Sequence, residues 1–169
     1  MKKKLIGAVT AGLMFAGLVP ALNSQARKAA PSAGIEVRHY DIKATLTPDA
    51  HEIEAVAAIS LKALREVDSI ALQLSENLQV RRVLDAQDIE LDFGQNETGP
   101  GSLSVHFEKP LAAGQEFVLK VEYQGGFDRD RFSRMYARDA AGAYIGMEGT
   151  YLMYSAKWFP VHRFLEDRA

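Results

Sequence analysis

Apolar and polar residues alternate with a period of two along most of the chain from Ile35 onward. This alternation is typical of strands with one buried face, because successive side chains of a strand point to opposite sides of a sheet. The predicted strands cover residues 40–46, 52–64, 70–74, 78–83, 89–93, 103–107 and 117–123. Turn residues separate them about every 8–12 residues, and no helical period is long enough to predict a helix. The pattern predicts an all-β fold, an antiparallel β-sandwich.

Several connections between these strands are also predicted. Residues 109–115 contain Pro110 and Gly114 and are expected to join the last two strands as a hairpin. Residues 75–77 are expected to form a bend, and residues 94–101 a polar loop. Residues 127–138 mix charged and aromatic side chains, which favours an irregular surface segment or a short hairpin with Tyr136 and Tyr144 on its two sides.

The first 26 residues have the composition of a bacterial export signal. Lysines at positions 2–4 precede a mostly apolar run over 5–22, and Ser24 and Ala26 are the small residues of a cleavage site. Cleavage is expected after Ala26, with Ala30 as an alternative. A retained membrane anchor is the other interpretation, but three glycines and Pro20 interrupt the run. We expect a signal at 1–26, a flexible lead at 27–34, a β-domain at 35–169, a periplasmic or extracellular location, and no membrane span after cleavage.

Composition narrows the possible functions further. The 169 residues are 47% hydrophobic, which is enough for one packed domain. Residues 1–26 hold three Lys and no acidic residue, so the remainder has 17 basic and 22 acidic side chains, a net charge of −5. A mildly acidic chain without a concentrated basic face is not expected to bind nucleic acid. The chain has no Cys, which excludes disulfides, thiol chemistry and Cys-based zinc sites.

No catalytic or metal-binding set is predicted within the chain. A His-Glu-x-x-His zinc motif needs two His four residues apart on a helix. His51-Glu52 is followed by Ala55 at the position of the second His, and the segment has the pattern of a strand. His39, His106 and His162 share no spacing and are expected to be half-exposed, and no Gly-x-Ser-x-Gly turn or phosphate loop is present. As it stands, the chain is not expected to be an enzyme.

Four segments in order resemble the N-terminal β-domain of the M1 zinc aminopeptidases. They are residues 37–42 (VRHYDI), 48–49 (PD), 110–125 (a Pro-Leu and Gly turn followed by a strand ending in Tyr-Gln-Gly) and 146–160, which ends in Trp158-Phe159-Pro160. The segments span about three quarters of the chain. Many members continue with Cys and then Asp-Glu-Pro, whereas this chain has Val-His-Arg-Phe-Leu at 161–165. The resemblance implies the saddle-like sandwich of that domain, with its C-terminal end incomplete.

The resemblance implies a non-catalytic domain of an exported zinc aminopeptidase, truncated before the catalytic domain. That domain would bind the zinc, so no cofactor is expected in this chain. The implied partners are the catalytic domain of the parent peptidase and the N-terminus of a peptide substrate. A docking surface without its partner would leave apolar side chains exposed, so the isolated domain is expected to associate.

The resemblance also implies candidate substrate-binding residues. In the family, a Gln or Glu of the N-terminal domain binds the free α-amine of the substrate. Counting back from Pro160 places this position at Gly149, beside Glu148, whose carboxylate is suited to pair with an ammonium group. Tyr151, together with Tyr154 and Trp158, is expected either to line a subsite or to pack at the domain edge. The alternative for Glu148 is an ordinary solvated loop residue.

Two other classes of function remain as alternatives. The first is a free-standing secreted β-sandwich that binds a protein or a glycan. Such a module is expected to end in a polar tail, whereas residues 158–164 are mostly apolar. The second is an enzyme complete in 169 residues, for which the sequence offers no motif.

Overall fold

The computed structural model describes residues 34–127 and 143–162. The predicted export signal, Tyr136 and the far end of the chain lie outside these ranges. The described elements are β1 (Ile35–Thr47), β2 (Glu52–Ala63), β3 (Val67–Gln73), β4 (Leu78–Leu84), β5 (Asp92–Gln95), β6 (Ser102–Leu111), β7 (Glu116–Gly126), β8 (Ala143–Gly146), β9 (Gly149–Leu152) and the helical turn α1 (Ser155–Trp158). The described part of the chain contains no helix with the length and apolar character that a membrane span requires.

The strands form two main sheets and a separate hairpin. The large sheet has the order β1-β2-β7-β4, the small sheet has the order β3-β6-β5, and β8 pairs with β9. Every pairing between these strands is antiparallel. The predicted all-β, antiparallel fold class is therefore confirmed.

The core contains the inner faces of both main sheets. Alternate residues of β2 are buried from Ile53 to Ala63, and Leu119, Val121 and Tyr123 of β7 lie directly beside them in the large sheet. Val105 and the neighbouring apolar residues of β6 belong to the same buried cluster. Burial of apolar area, at roughly 25 cal/mol per Å², is the main stabilising term for a fold without disulfides.

The prediction that residues 109–115 form a hairpin is wrong. β6 pairs with β3 and β5, whereas β7 pairs with β2 and β4, so the connection carries the chain from one sheet to the other. The backbone N–H of Gly114 donates to the carbonyl of Ala63 (2.7 Å), and the N–H of Ala63 donates to the carbonyl of Gln115 (2.9 Å). These bonds fix the turn to the end of β2 in the large sheet. The bend predicted at 75–77 likewise separates β3 from β4, which lie in different sheets.

The strand predicted at residues 89–93 begins later, and the loop predicted at 94–101 begins at Asn96. Strand β5 includes Gly94 and Gln95 and ends there. Ile89 is 61% exposed, because the carboxylate of Asp85 accepts the N–H groups of Gln87 and Ile89 and holds this segment as a turn. A local side-chain bond therefore overrides the apolar alternation at Ile89.

Candidate functional site

The three predicted substrate-binding residues lie together on the hairpin of β8 and β9. Gly146 pairs with Gly149, which leaves Met147 and Glu148 as a two-residue turn that is exposed to solvent. Neither turn residue has a positive φ, so the turn is not of type I′. Gly149 has φ of +156°, a conformation that other residues rarely adopt, and it completes the reversal of the chain. The hairpin places the Glu148 carboxylate at its tip.

The aromatic side chains behind the tip form one row. The ring centroids of Tyr144 and Tyr151 lie 5.6 Å apart across the two strands, and those of Tyr144 and His51 lie 6.0 Å apart. A Cβ atom on Gly146 would lie 2.6 Å or less from the phenol end of Tyr144, so the glycine leaves room for this ring. Tyr151 is half-buried and packs against Tyr144. Of the two roles expected for Tyr151, this contact matches packing at the domain edge.

His51 attaches the hairpin to the sandwich. It lies in the turn between β1 and β2 with φ of +59°, and its Nδ1–H donates to the carbonyl oxygen of Ile145 at 2.5 Å. Its own carbonyl accepts the N–H of Phe127 (2.8 Å), and the Phe127 carbonyl accepts the N–H of Ile145 (3.3 Å). The base of the hairpin is thus fixed by three bonds that involve only His51, Phe127 and Ile145.

The sequence did not indicate this role for His51. The only signal was a histidine at a turn position directly before a strand, and such a position identifies no long-range partner. Because Glu52 begins β2, His51 and residue 55 do not lie on one face of a helix as a zinc motif requires. Within residues 34–127 and 143–162, no three His, Cys, Asp or Glu side chains are placed so that they could hold a metal ion. The described residues therefore do not fit zinc.

The Trp-Phe-Pro segment connects the hairpin to both main sheets. Phe159 packs edge-on against Tyr40 of β1, with ring centroids 5.4 Å apart, and Trp158 packs against Phe159 at 4.8 Å. Val161 exchanges two backbone hydrogen bonds with Gln73 of β3, of 2.7 and 3.0 Å. Trp158 is half-buried in this packing, whereas Tyr154 is 52% exposed and has φ of +57°.

The three remaining histidines differ in their exposure. His39 and His106 are exposed. His162 is 4% exposed, so the expectation of a half-exposed side chain at this position is wrong. Its backbone N–H lies 3.4 Å from the hydroxyl of Tyr40, and Pro160 and Val161 before it are also buried. The end of the aromatic segment thus packs into the core instead of crossing the surface.

A cleft of about 300 Å³ lies beside this segment. Its lining includes Glu76, Asn77, Phe127 and Lys157 of α1. Glu148, Gly149 and Tyr151 are not among the lining residues. The structure therefore brings the predicted substrate-binding residues together at the hairpin tip but does not place them in this cleft.

Comparisons with known proteins identify the fold. This chain is similar over 79% of its own residues to the M1 zinc metallopeptidase from Deinococcus radiodurans, with 18% identity and a TM-score of 0.62. A variant of that enzyme bound to a Tyr-Ser-Ala substrate is similar over 80% of this chain, with 18% identity and a TM-score of 0.58. These matches cover 30% and 29% of the longer chains, so this chain spans less than a third of their length.

No family model matches the sequence, and no curated protein matches it. At 18% identity, the structural similarity shows the fold alone. The resemblance to M1 zinc peptidases found in the sequence is therefore confirmed at the level of the fold.

Proposed function

We propose that this chain is the N-terminal β-domain of an exported M1-type zinc metallopeptidase and that it does not hydrolyse peptides by itself. The observation that carries the proposal is the fold, which matches M1 metallopeptidase structures over 80% of the chain. The four sequence segments in family order give independent support, because they depend on the residues alone. The catalytic zinc would then be bound by another part of the parent enzyme.

The proposed role of the domain is to dock on the catalytic domain and to shape its substrate cleft. Large apolar side chains are exposed on and after the hairpin turn: Met147 is 77% exposed, Met153 52% and Tyr154 52%. Contiguous exposed apolar surface commonly marks a site of protein contact. Met147 directly precedes Glu148, and Met153 and Tyr154 follow Glu148 by five and six residues. This exposure supports a docking surface that includes the hairpin of the candidate substrate-binding residue.

In this proposal, Glu148 binds the α-ammonium group of a peptide substrate. A carboxylate that pairs with an ammonium group forms a charge-assisted hydrogen bond, which is about twice as strong as a neutral one. Gly149 contributes the unusual backbone conformation of the residue that follows Glu148, and Tyr151 supports the hairpin through Tyr144. The pairing would select peptides with a free N-terminus.

Kinetics on the complete gene product test this role. Glu148→Gln is expected to raise KM at least about tenfold for peptides with a free N-terminus, since the ion pair is lost. For the same peptides with an acetylated N-terminus, the KM of Glu148→Gln should equal that of the wild type. Glu90→Gln is the matched control. Glu90 is also an exposed acid, but it lies before β5 and is not part of the hairpin of β8 and β9.

Two results bear differently on the proposal. Hydrolysis by the 169-residue chain alone with added Zn²⁺ would contradict the non-catalytic domain. An unchanged KM for Glu148→Gln would remove Glu148 from the site while leaving the domain assignment in place.

A further inference from the structure

The outer edge of β1 is the longest sheet edge in the described part of the chain. β1 has 13 residues and lies at the end of the large sheet, with β2 as its only described neighbour in the ladder. In an edge strand, alternate N–H and C=O groups point away from the sheet and are available to another strand. β1 contains no proline that would prevent such pairing.

The edge at the other end of the large sheet is covered. The side chain of Gln95 accepts the N–H of Val80 (3.0 Å) and donates to the carbonyl of Leu78 (2.6 Å). The N–H of Leu91 donates to the carbonyl of Val83 (2.8 Å). Side-chain and loop atoms thus occupy the outward groups of β4. No described side-chain or loop atom does the same along residues 41–46 of β1, whereas the carbonyl of Thr47 accepts the N–H of Ala50.

The inner face of this part of β1 is apolar and incompletely covered. Ile42, Ala44 and Leu46 lie opposite the core positions 57, 55 and 53 of β2, so they continue the core face of the sheet. Ile42 is half-buried, whereas Ala44 and Leu46 are exposed, Leu46 to 36%. The apolar face therefore extends beyond the area that the small sheet covers.

The outer face of the same segment is complementary to itself. Asp41 and Lys43 flank Ile42 and are both exposed. If two copies of β1 pair antiparallel about a twofold axis at Ile42, each Asp41 lies opposite the Lys43 of the other copy. Shifting the axis to residue 41 or 43 places like charges opposite each other. A register that pairs an odd-numbered residue with an even-numbered one places the apolar face of one copy on the polar side of the other. One register is thus favoured by both charge and burial.

We propose that β1 pairs with β1 of a second copy of this chain, antiparallel about a twofold axis at Ile42, so that the two large sheets become one continuous sheet. The bulge between Val37 and His39 limits the ladder to residues 39–45 on each copy. Main-chain hydrogen bonds hold the two strands, and the pairs of Asp41 and Lys43 set the register. This proposal does not depend on the proposed function.

Charge variants of the full chain test the register. In sedimentation analysis over about 1–100 μM, the chain is expected to dimerise. Asp41→Lys or Lys43→Asp should raise the dimer dissociation constant at least about tenfold, since symmetry creates two like-charge pairs. The double exchange Asp41→Lys with Lys43→Asp should restore it. Asp49→Lys makes the same charge change as Asp41→Lys in the exposed turn after β1 and should have no effect.

A crosslinking experiment tests the position of the axis, because the chain has no native cysteine. Residues directly opposite in an antiparallel pair have Cα atoms about 4.5–5.5 Å apart, which suits a disulfide. Ile42→Cys should therefore form a disulfide-linked dimer under mild oxidation. Ala44→Cys should not, because four strand positions separate the two copies of that residue by about 13 Å.

Three results would overturn the proposal. They are a chain that stays monomeric over this range, a dimer that the single charge variants do not weaken, and a crosslink that forms at least as well at residue 44 as at residue 42. Circular dichroism of each variant confirms that the fold is intact, so a loss of dimer is attributable to the edge.

Discussion

The phenol of Tyr123 lies at the centre of the large sheet and offers a sharp test of the core. Tyr123 is 1% exposed, and its hydroxyl has no hydrogen-bond partner among the described residues. A buried polar group without a partner costs about 1–3 kcal/mol. Tyr123→Phe removes this cost and keeps the ring. We expect the variant to be more stable by about 1 kcal/mol, which corresponds to a rise in Tm of about 3–5 °C.

The pH dependence of stability provides a second readout of the same group. Burial raises the pKa of the Tyr123 phenol above its usual value. Above about pH 10, the unfolded chain loses this proton while the folded chain keeps it, so stability falls as pH rises. The loss attributable to Tyr123 is at most about 1.4 kcal/mol per pH unit. Below pH 10 both states are protonated and the contribution is constant.

Urea titrations of the wild type and of Tyr123→Phe at pH 7, 10 and 11 measure both the stability difference and its pH dependence. The advantage of Tyr123→Phe should widen between pH 10 and 11. Tyr40→Phe is the matched control: its hydroxyl lies 3.4 Å from the N–H of His162, so its removal should lower stability by up to about 1 kcal/mol. The reasoning would be refuted if Tyr123→Phe were less stable than the wild type. It would also be refuted if the stability difference between Tyr123→Phe and the wild type did not change from pH 7 to 11.

Two further substitutions test the hairpin anchor and a close backbone contact, each by chemical denaturation. His51→Ala should lower the free energy of unfolding by about 1–3 kcal/mol, because it leaves the Ile145 carbonyl without its donor. Wild-type stability of this variant would contradict the anchoring role. Gly125→Ala would place a Cβ atom within 3 Å of the backbone near Asn77 and should cost about 3 kcal/mol. Gly114→Ala meets no atom within 4 Å and should cost only about 1 kcal/mol, so an equal loss for the two would contradict the clash.

The alternation of apolar residues predicted the strands well but not their neighbours. Residues 103–107 and 117–123 were correctly placed on strands with one buried face. A period of two identifies which side chains are buried, yet it is the same whether the next strand continues the sheet or crosses to the facing one. Gly114, with φ of +85°, suits both kinds of turn, so the hairpin error could not be avoided from local pattern alone.

The role of the candidate substrate-binding residues stays a prediction, but their arrangement is visible in the structure. The residues of the hairpin tip were identified through the family resemblance, and the structure places all three on one hairpin. The hairpin pairing itself was missed. The tyrosines at 144 and 151 flank a Gly-Met-Glu-Gly turn at equal distances, which is the signal that predicts the observed pairing. The hairpin proposed between Tyr136 and Tyr144 lies partly outside the described residues.

The contacts of His51 depend on long-range geometry that the sequence does not reveal. Its partner Ile145 is 94 residues away along the chain. Bonds of this kind form only after the turn between β1 and β2 and the hairpin are both in place. Sequence periodicity can therefore predict the two elements but not the side chain that joins them.

The measurement that tests the proposed function most directly is the coding sequence that follows Ala169, translated in all three frames. The account predicts a downstream catalytic domain with His-Glu-x-x-His and a more distant Glu as the third zinc ligand. A coding region that continues without these ligands, or that ends without any further domain, would contradict the assignment of this chain as part of a zinc metallopeptidase.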